Sequence, residues 1–197
     1  MQLSYDGKIV ACAFYNGNIK FWNVEDMCEE YVFKNSEGVD CISFAQTGKL
    51  VVGYTNFPSK DYKENGFFIW NFEGKFEEKR ISGFKDNIFS LKISPDSSYI
   101  VLIFYHNEGV IINNNIKREK LKIDEGEAKV VCMAYSLDGN YIATGLSTNF
   151  ISVWTVNKNP KKFSLAGHTS EITALVFQNN SKFLISGSKD TRIKYGI

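Results

Sequence analysis

A unit of about 42 residues recurs along the chain, and this period limits how the sequence can fold more than any other feature. Turn-forming dipeptides mark the unit at 6–7, 47–48, 96–97, 138–139 and 180–181 (Asp-Gly, Thr-Gly, Asp-Ser, Asp-Gly and Asn-Ser). A tryptophan follows 16 residues after the first and the fourth of these, at Trp22 and Trp154. Self-similarity at such a period is typical of repeat architectures rather than of a single irregular core.

One unit is longer than the others, and a single insertion accounts for the difference. Trp70 comes 23 residues after Thr47, where Trp22 and Trp154 come 16 residues after their turns. The spacing from Thr47 to the next turn, at Asp96, is 7 residues longer than the spacing of 42 that follows it. We therefore expect an insertion of 7 residues between the second and third runs of this unit, within 54–66.

Each unit contains runs in which apolar and polar residues alternate, as in 172–177 (ITALVF) and 150–154 (FISVW). A period of two predicts β-strands rather than helices. One run precedes the marked turn, two follow it, and a weaker charged run fills the rest of the unit. Four short strands per 42 residues is the pattern of a propeller blade, which predicts an all-β fold of four-stranded antiparallel blades. We expect a single domain over 1–197, with units near 1–34, 35–82, 83–124, 125–165 and 166–197.

The sequence resembles the WD-repeat β-propeller family over essentially its whole length. The resemblance rests on 166–168 (AGH), on 186–194 (SGSKDTRIK), and on the two strands that end in tryptophan, 18–22 and 150–154. It implies a structural hydrogen-bonded set of His, Ser or Thr, Asp and Trp in each blade. The residues that match it are His168, Ser186 and Asp190 in the fifth unit and Thr144 and Trp154 in the fourth.

No unit carries that set in full. Gly196 stands where the fifth unit would have its tryptophan, and 125–126 (Glu-Gly) replaces Gly-His in the fourth. We expect the blades to depend on apolar packing more than on these polar ties. The chain holds about four and a half units, whereas family members most often use seven blades. We therefore expect a fragment of a longer protein, with a small five-bladed ring as the alternative.

Charge and composition disfavour several classes of function. The 23 basic and 22 acidic residues leave a net charge of +1, which makes nucleic acid an improbable partner. A basic cluster at 117–122 leaves a phosphoinositide-binding or nucleic-acid-binding propeller open as an alternative, although acidic residues interrupt it. None of the four cysteines forms a CxxC pair and no signal peptide is visible, so we expect reduced thiols and a cytoplasmic location, without membrane insertion. We expect no metal and no cofactor.

His168, Asp190 and a serine at 186 or 188 are also the ingredients of a nucleophilic triad. No GxSxG turn surrounds these serines, so the sequence favours a protein that is not an enzyme. A propeller-type hydrolase, or an accessory domain of an enzyme, is the alternative.

The turns between the second and third strands offer exposed aromatic residues. The resemblance implies that this end of the blades is the usual partner-binding face. Phe57 and Tyr62 lie in the insertion, and Tyr15 and Tyr105 lie in equivalent turns. We expect a non-catalytic scaffold that docks proteins or peptides through these four residues, a role that suits a subunit of a larger complex.

Overall fold

The computed structural model describes residues 1–34, 38–55, 65–105, 108–113, 120–157, 161–179 and 181–196. Every regular element among them is a β-strand, so the predicted all-β fold class is confirmed. The chain divides into two compact units, Met1–Ser97 and Ser98–Ile197. Within the described ranges, no helix has the length and apolarity needed to cross a membrane.

The first unit contains two four-stranded antiparallel sheets whose strands lie in chain order. The first sheet consists of β1 (Gln2–Leu3), β2 (Ile9–Ala13), β3 (Asn18–Asn23) and β4 (Cys28–Lys34). The second consists of β5 (Gly38–Phe44), β6 (Lys49–Thr55), β7 (Asn65–Asn71) and β8 (Phe76–Phe84). The last strand of the unit, β9 (Ile88–Ile93), lies beside β5 and β6.

The second unit repeats this meander. Its first strands are β10 (Tyr99–Phe104), β11 (Glu108–Asn113) and β12 (Lys120–Asp124). A four-stranded sheet follows, with β13 (Val130–Tyr135), β14 (Tyr141–Leu146), β15 (Ile151–Thr155) and β16 (Lys162–Leu165). The last sheet has three strands in the described residues, β17 (Ile172–Phe177), β18 (Leu184–Ser188) and β19 (Ile193–Gly196).

The last two sheets share one pairing register, displaced by one repeat. Ile142 pairs with Trp154 in one sheet, and Leu184 pairs with Gly196 in the next. Thr144 likewise pairs with Ser152. Residues 42 apart in these two sheets, such as Trp154 and Gly196, therefore occupy equivalent places, and one can serve as a control for the other.

The recurring turns explain why the repeat is visible in the sequence. The second residue of each marked dipeptide has a positive φ, of 74° at Gly7, 74° at Gly48, 63° at Ser97, 76° at Gly139 and 56° at Ser181. Glycine adopts this conformation at little cost, whereas serine is strained there. Hydrogen bonds offset that strain: Ser97 Oγ lies 2.5 Å from Thr47 Oγ1, and Ser181 Oγ accepts from the Asp138 N–H at 3.0 Å.

The insertion is shorter than the 13 residues in which we placed it. Tyr54 pairs with Gly66 across β6 and β7, so both ends of the predicted insertion are strand. Tyr54 and Gly66 are both buried, because both faces of this hairpin are covered. The Cβ that any other residue would add at Gly66 would lie 2.4 Å from the Ile81 carbonyl oxygen, which accounts for a glycine in this strand.

Aromatic packing forms the core of the first unit. Phe33 contacts Phe68 and Trp70, with ring centroids 5.6 and 4.3 Å apart, and Phe21 contacts Phe72 at 4.9 Å. The fully buried members of this group, Phe21 and Phe68, each stabilise the fold by about 1.5–3 kcal/mol through burial alone. The aromatic richness of the sequence is therefore used between sheets β1–β4 and β5–β8.

In three sheets, a small residue on the first strand lies opposite a glycine on the second strand. Cys41 pairs with Gly53, Cys132 with Gly145 and Ala174 with Gly187. A Cβ at Gly53 or Gly145 would lie 2.6 Å from the facing sulfur. All four cysteines are free thiols, and burial raises the pKa of Cys41 to about 12 and that of Cys132 to about 11.

Candidate functional site

A chain of hydrogen bonds joins three of the residues that the sequence singled out. His168, in the segment between β16 and β17, is buried. Its Nδ1 lies 2.8 Å from Asp190 Oδ2, and its Nε2 lies 2.9 Å from Ser186 Oγ. Ser186 is on the central strand β18, and Asp190 is in the turn that leads to β19. The network therefore ties one segment, one strand and one turn together.

Asp190 determines which ring nitrogen of His168 must carry a proton in this relay of hydrogen bonds. Its carboxylate accepts hydrogen bonds from the Thr169 N–H at 3.0 Å, from His168, and from the Arg192 N–H at 2.9 Å, which together hold its pKa below the usual range. An ionised carboxylate only accepts, so His168 carries its proton on Nδ1. When the ring is neutral, this tautomer leaves Nε2 as an acceptor for the Ser186 hydroxyl. The lone pairs of Ser186 Oγ stay available to a further donor.

The same relay does not make an acyl-transfer site. Ser186 is only 3% exposed, and β18 has paired strands on both sides. The backbone N–H groups of Ser186 and Gly187 therefore belong to sheet ladders. A nucleophilic serine needs N–H groups aimed at the developing oxyanion. This geometry fits a structural tie.

Glu125 builds a different network in the preceding sheet. Its side chain has no exposed surface and its carboxylate accepts four hydrogen bonds. Thr144 Oγ1 and Trp154 Nε1 donate to Oε1 at 2.5 and 2.8 Å. Ser152 Oγ and Lys162 Nζ donate to Oε2 at 2.8 and 2.6 Å. Two oxygens with two lone pairs each are thereby saturated.

Sequence reasoning missed this role of Glu125. The sequence predicts a structural set that includes Thr144 and Trp154 but gives Glu125 no role in it, and the structure joins both of them to the Glu125 carboxylate. The available signal was position, because Glu125 stands 42 residues before Gly167, next to the place of His168. From this neighbouring position the glutamate side chain reaches the hydroxyl of Thr144, which is the residue equivalent to Ser186.

An open cavity of about 330 Å³ lies beside Ser186. Its lining includes Ile151, Leu165, Leu184, His168 and Lys194. Gly196 also lines it, and a Cβ at Gly196 would meet no atom within 4 Å. The cavity is therefore found where the repeat register would place the side chain equivalent to Trp154.

The aromatic residues proposed for partner binding fall in different places. Tyr15 is 72% exposed in the β2–β3 turn of the first unit. Tyr105 is 57% exposed after β10 in the second unit. Phe57 and Tyr62 lie outside the described residues. The structure adds Phe14, which is exposed beside Tyr15 and which the sequence reasoning did not single out.

Basic residues also contribute to this part of the structure. Lys162, which lies outside the basic cluster at 117–122, pairs through its Nζ with Glu125. Lys117, Arg118 and Lys158 lie outside the described residues. Within the part of the chain that the structure describes, no three His, Cys, Asp or Glu side chains group as metal ligands do.

Family models match two parts of the chain. The model of the WD domain, G-beta repeat, matches residues 118–155 and 159–195. The model of eukaryotic translation initiation factor eIF2A matches residues 1–85.

Known proteins match over longer spans. A WD repeat-containing protein WDS homolog of Arabidopsis thaliana is 26% identical over 95% of this chain and 36% of its own length. The human U5 small nuclear ribonucleoprotein 40 kDa protein is 22% identical over 96% of this chain and 53% of its own. Human echinoderm microtubule-associated protein-like 4 is 32% identical over 50% of this chain and 11% of its own. The chain thus spans about half or less of these relatives.

A solved structure shows the same fold. The β-propeller domain of Myceliophteria thermophila Cps50 (Swd1) superposes with a TM-score of 0.76 at 10% identity, covering 98% of this chain and 63% of that one. Antiparallel sheets on a 42-residue register, WD-repeat matches in the second half and this propeller neighbour lead to one assignment. The chain contains WD repeats at 118–155 and 159–195 and has the β-propeller fold.

Proposed function

We propose that this chain is a non-catalytic scaffold that docks proteins or peptides on the turns between the second and third strands of its sheets. The observation that carries the proposal is the exposed aromatic pair at the β2–β3 turn, Phe14 and Tyr15. Tyrosine and other large aromatic residues supply most of the binding energy in many protein interfaces. They do so best when little conformational freedom is lost on binding.

The β2–β3 turn is rigid enough to present these rings. The Phe14 N–H donates to the Asn18 carbonyl at 2.9 Å, and the Gly17 N–H donates to the Phe14 carbonyl at 3.0 Å. Asn16 Oδ1 accepts from the Asn18 N–H at 3.1 Å and closes the turn from inside. The backbone is therefore fixed before a partner arrives, and binding costs only side-chain ordering.

The relatives support protein partners as the class. One is named as a component of the U5 small nuclear ribonucleoprotein and another as a microtubule-associated protein. Membership of a larger complex is accordingly part of the proposal, without a named complex. The buried Ser186 hydroxyl and the absence of free N–H groups around it in the described sheet support a role without catalysis. Four free thiols support the proposed intracellular location.

The test compares proteins captured by the immobilised chain before and after a change at the turn. We expect Tyr15→Ala to reduce capture of its specific partners at least tenfold, and Tyr105→Ala to reduce it as well. The matched control is Phe76→Ala, because Phe76 is 51% exposed but lies at the other end of its sheet, where β7 leads to β8. Phe57 and Tyr62 remain predicted anchors and enter the same assay as alanine variants.

Two outcomes would reject the proposal. Equal capture by the Tyr15→Ala, Tyr105→Ala and Phe76→Ala variants would exclude the turns as the docking face. Hydrolysis of a p-nitrophenyl ester by the wild-type chain, lost in Ser186→Ala, would show the hydrolase alternative instead. Melting curves of every variant establish that a lost partner is not a lost fold.

A further inference from the structure

We propose that the cavity between β16, β18 and β19 binds an indole ring, carried by a tryptophan side chain of a partner protein. This site goes beyond the docking face proposed above, because none of Phe14, Tyr15 and Tyr105 lines it. Three features support this site: the shape of the cavity, a buried acceptor at its wall and the occupied counterpart in the preceding sheet.

The preceding sheet shows what this place in a blade accommodates. Trp154 is buried there, 42 residues before Gly196 and in the same pairing register. Its ring packs under Lys162, whose Nζ lies 5.2 Å from the ring centroid. Replacing tryptophan by glycine removes the indole and leaves the walls that the blade geometry builds around it.

The cavity has the size and surfaces that an aromatic ring requires. Its volume is about 330 Å³, whereas a cavity of ~150 Å³ already holds benzene. The side chains of Ile151, Leu165 and Leu184 supply apolar walls. The Lys194 side chain lines one side, and its Nζ donates to the Gly167 carbonyl, so a cation is held where it can face a bound ring.

The polar wall selects an N–H donor. Ser186 is one of the lining residues, and in the neutral tautomer of His168 with its proton on Nδ1 the Ser186 hydroxyl donates to His168 Nε2. With that proton committed to His168, the Ser186 oxygen keeps lone pairs for one further donor at the cavity wall, and among the described residues His168 is its one hydrogen-bond partner. In the preceding sheet Thr144 Oγ1 and Trp154 Nε1 both bond Glu125 Oε1, which places the indole nitrogen next to the hydroxyl equivalent to Ser186.

A tryptophan side chain matches this combination better than other protein groups. Phenylalanine and leucine fill apolar space but leave the Ser186 acceptor without a donor, which costs binding energy. Tyrosine carries its hydroxyl at the tip of the ring, whereas the indole N–H lies on the ring edge that Trp154 turns toward the buried polar cluster. The occupant we infer is thus one aromatic anchor of a protein ligand.

The experiment titrates the full chain with N-acetyl-L-tryptophanamide and follows binding by isothermal calorimetry and ligand-observed NMR. We expect saturable 1:1 binding, weakened about five- to tenfold by methylation of the indole nitrogen, because one hydrogen bond is lost. Gly196→Trp fills the cavity from within the chain and should abolish binding. Gly196→Ala changes the same position, leaves the cavity open and should preserve it.

Several results would overturn the inference. These are an absence of saturable binding, equal affinity for the N-methylated compound or for N-acetylphenylalaninamide, and binding that survives Gly196→Trp. A mass that rises with concentration in wild type but not in Gly196→Trp would assign the cavity to a second copy of the chain. Circular dichroism of both variants excludes loss of fold as the cause of lost binding.

Discussion

Replacing Glu125 by glutamine removes the charge from a buried carboxylate that accepts four hydrogen bonds, and it keeps the shape of the side chain. The amide keeps one acceptor oxygen, which serves two of the four donors. Its NH₂ group faces the other two, Ser152 Oγ and Lys162 Nζ, if Thr144 and Trp154 keep the oxygen. The Ser152 hydroxyl can rotate to accept, and Lys162, whose side chain is 37% exposed, can turn into water.

The expected loss follows from the strength of the remaining bonds. Hydrogen bonds to a charged acceptor contribute about 1.5–3 kcal/mol each, and those to a neutral one about 1 kcal/mol. Glu125→Gln weakens the two bonds that it keeps and replaces a third, so we expect a loss of roughly 2–3 kcal/mol in the free energy of unfolding. Glu125→Ala leaves three buried donors unpaired, and we expect roughly 3–5 kcal/mol. The exposed end of Lys162 adds only a few tenths of a kcal/mol by the usual value of surface ion pairs.

Urea denaturation followed by far-UV circular dichroism measures both variants. The control is Glu127→Gln, an exposed glutamate two residues along the chain, which should change stability by less than about 0.5 kcal/mol. An equal m-value in all variants confirms that the comparison concerns stability rather than compactness. If Glu125→Gln were as mild as Glu127→Gln, the claim that this carboxylate ties the blade together would be refuted.

Further predictions concern the indole of Trp154, the carboxylate of Asp190 and the close contact at Gly145. Trp154→Phe should destabilise by roughly 1.5–3 kcal/mol more than Trp70→Phe: both changes remove the same buried ring area, but only the first removes a hydrogen bond to Glu125, because among the described residues Trp70 Nε1 has no partner. Paired urea titrations measure the difference. The stability that Asp190 contributes is present above its unfolded pKa of about 4 and is lost as the pH falls toward its lowered folded pKa. Asp190→Asn should therefore make the melting temperature less dependent on pH on the acid side. An unchanged pH dependence would refute this prediction. Gly145→Ala should cost about 1–3 kcal/mol by crowding the facing sulfur and β17, and the double variant with Cys132→Ala should recover part of that loss; no recovery would place the clash elsewhere.

The strands could be predicted because their signals are local. Alternation along 172–177 and a turn at 138–139 each depend on fewer than ten neighbouring residues. The positive φ at Gly7 and Gly139 shows why those turns recur as glycine-containing dipeptides. The strand ends at Tyr54 and Gly66 were harder, because the sequence gives no local sign of where pairing stops and a loop begins.

The Glu125 network could not be predicted because its parts are far apart in the sequence. The carboxylate meets Thr144, Trp154 and Lys162, which lie up to 37 residues further along the chain. A glutamate next to a glycine in the sequence is typical of a surface turn, and only the folded blade shows that four donors surround its carboxylate. The His168 relay could be predicted because His168, Ser186 and Asp190 match the structural set that the resemblance to the WD-repeat family implies.

The inferred indole site depends most directly on the equivalence of Gly196 and Trp154. A crystal structure of Gly196→Trp tests it directly. We predict that the new indole lies between Leu184 and Lys194 with its nitrogen about 3 Å from Ser186 Oγ, the His168–Asp190 pair unchanged. An indole directed into solvent, with the cavity still open beside Ser186, would contradict the shared register and the binding site inferred from it.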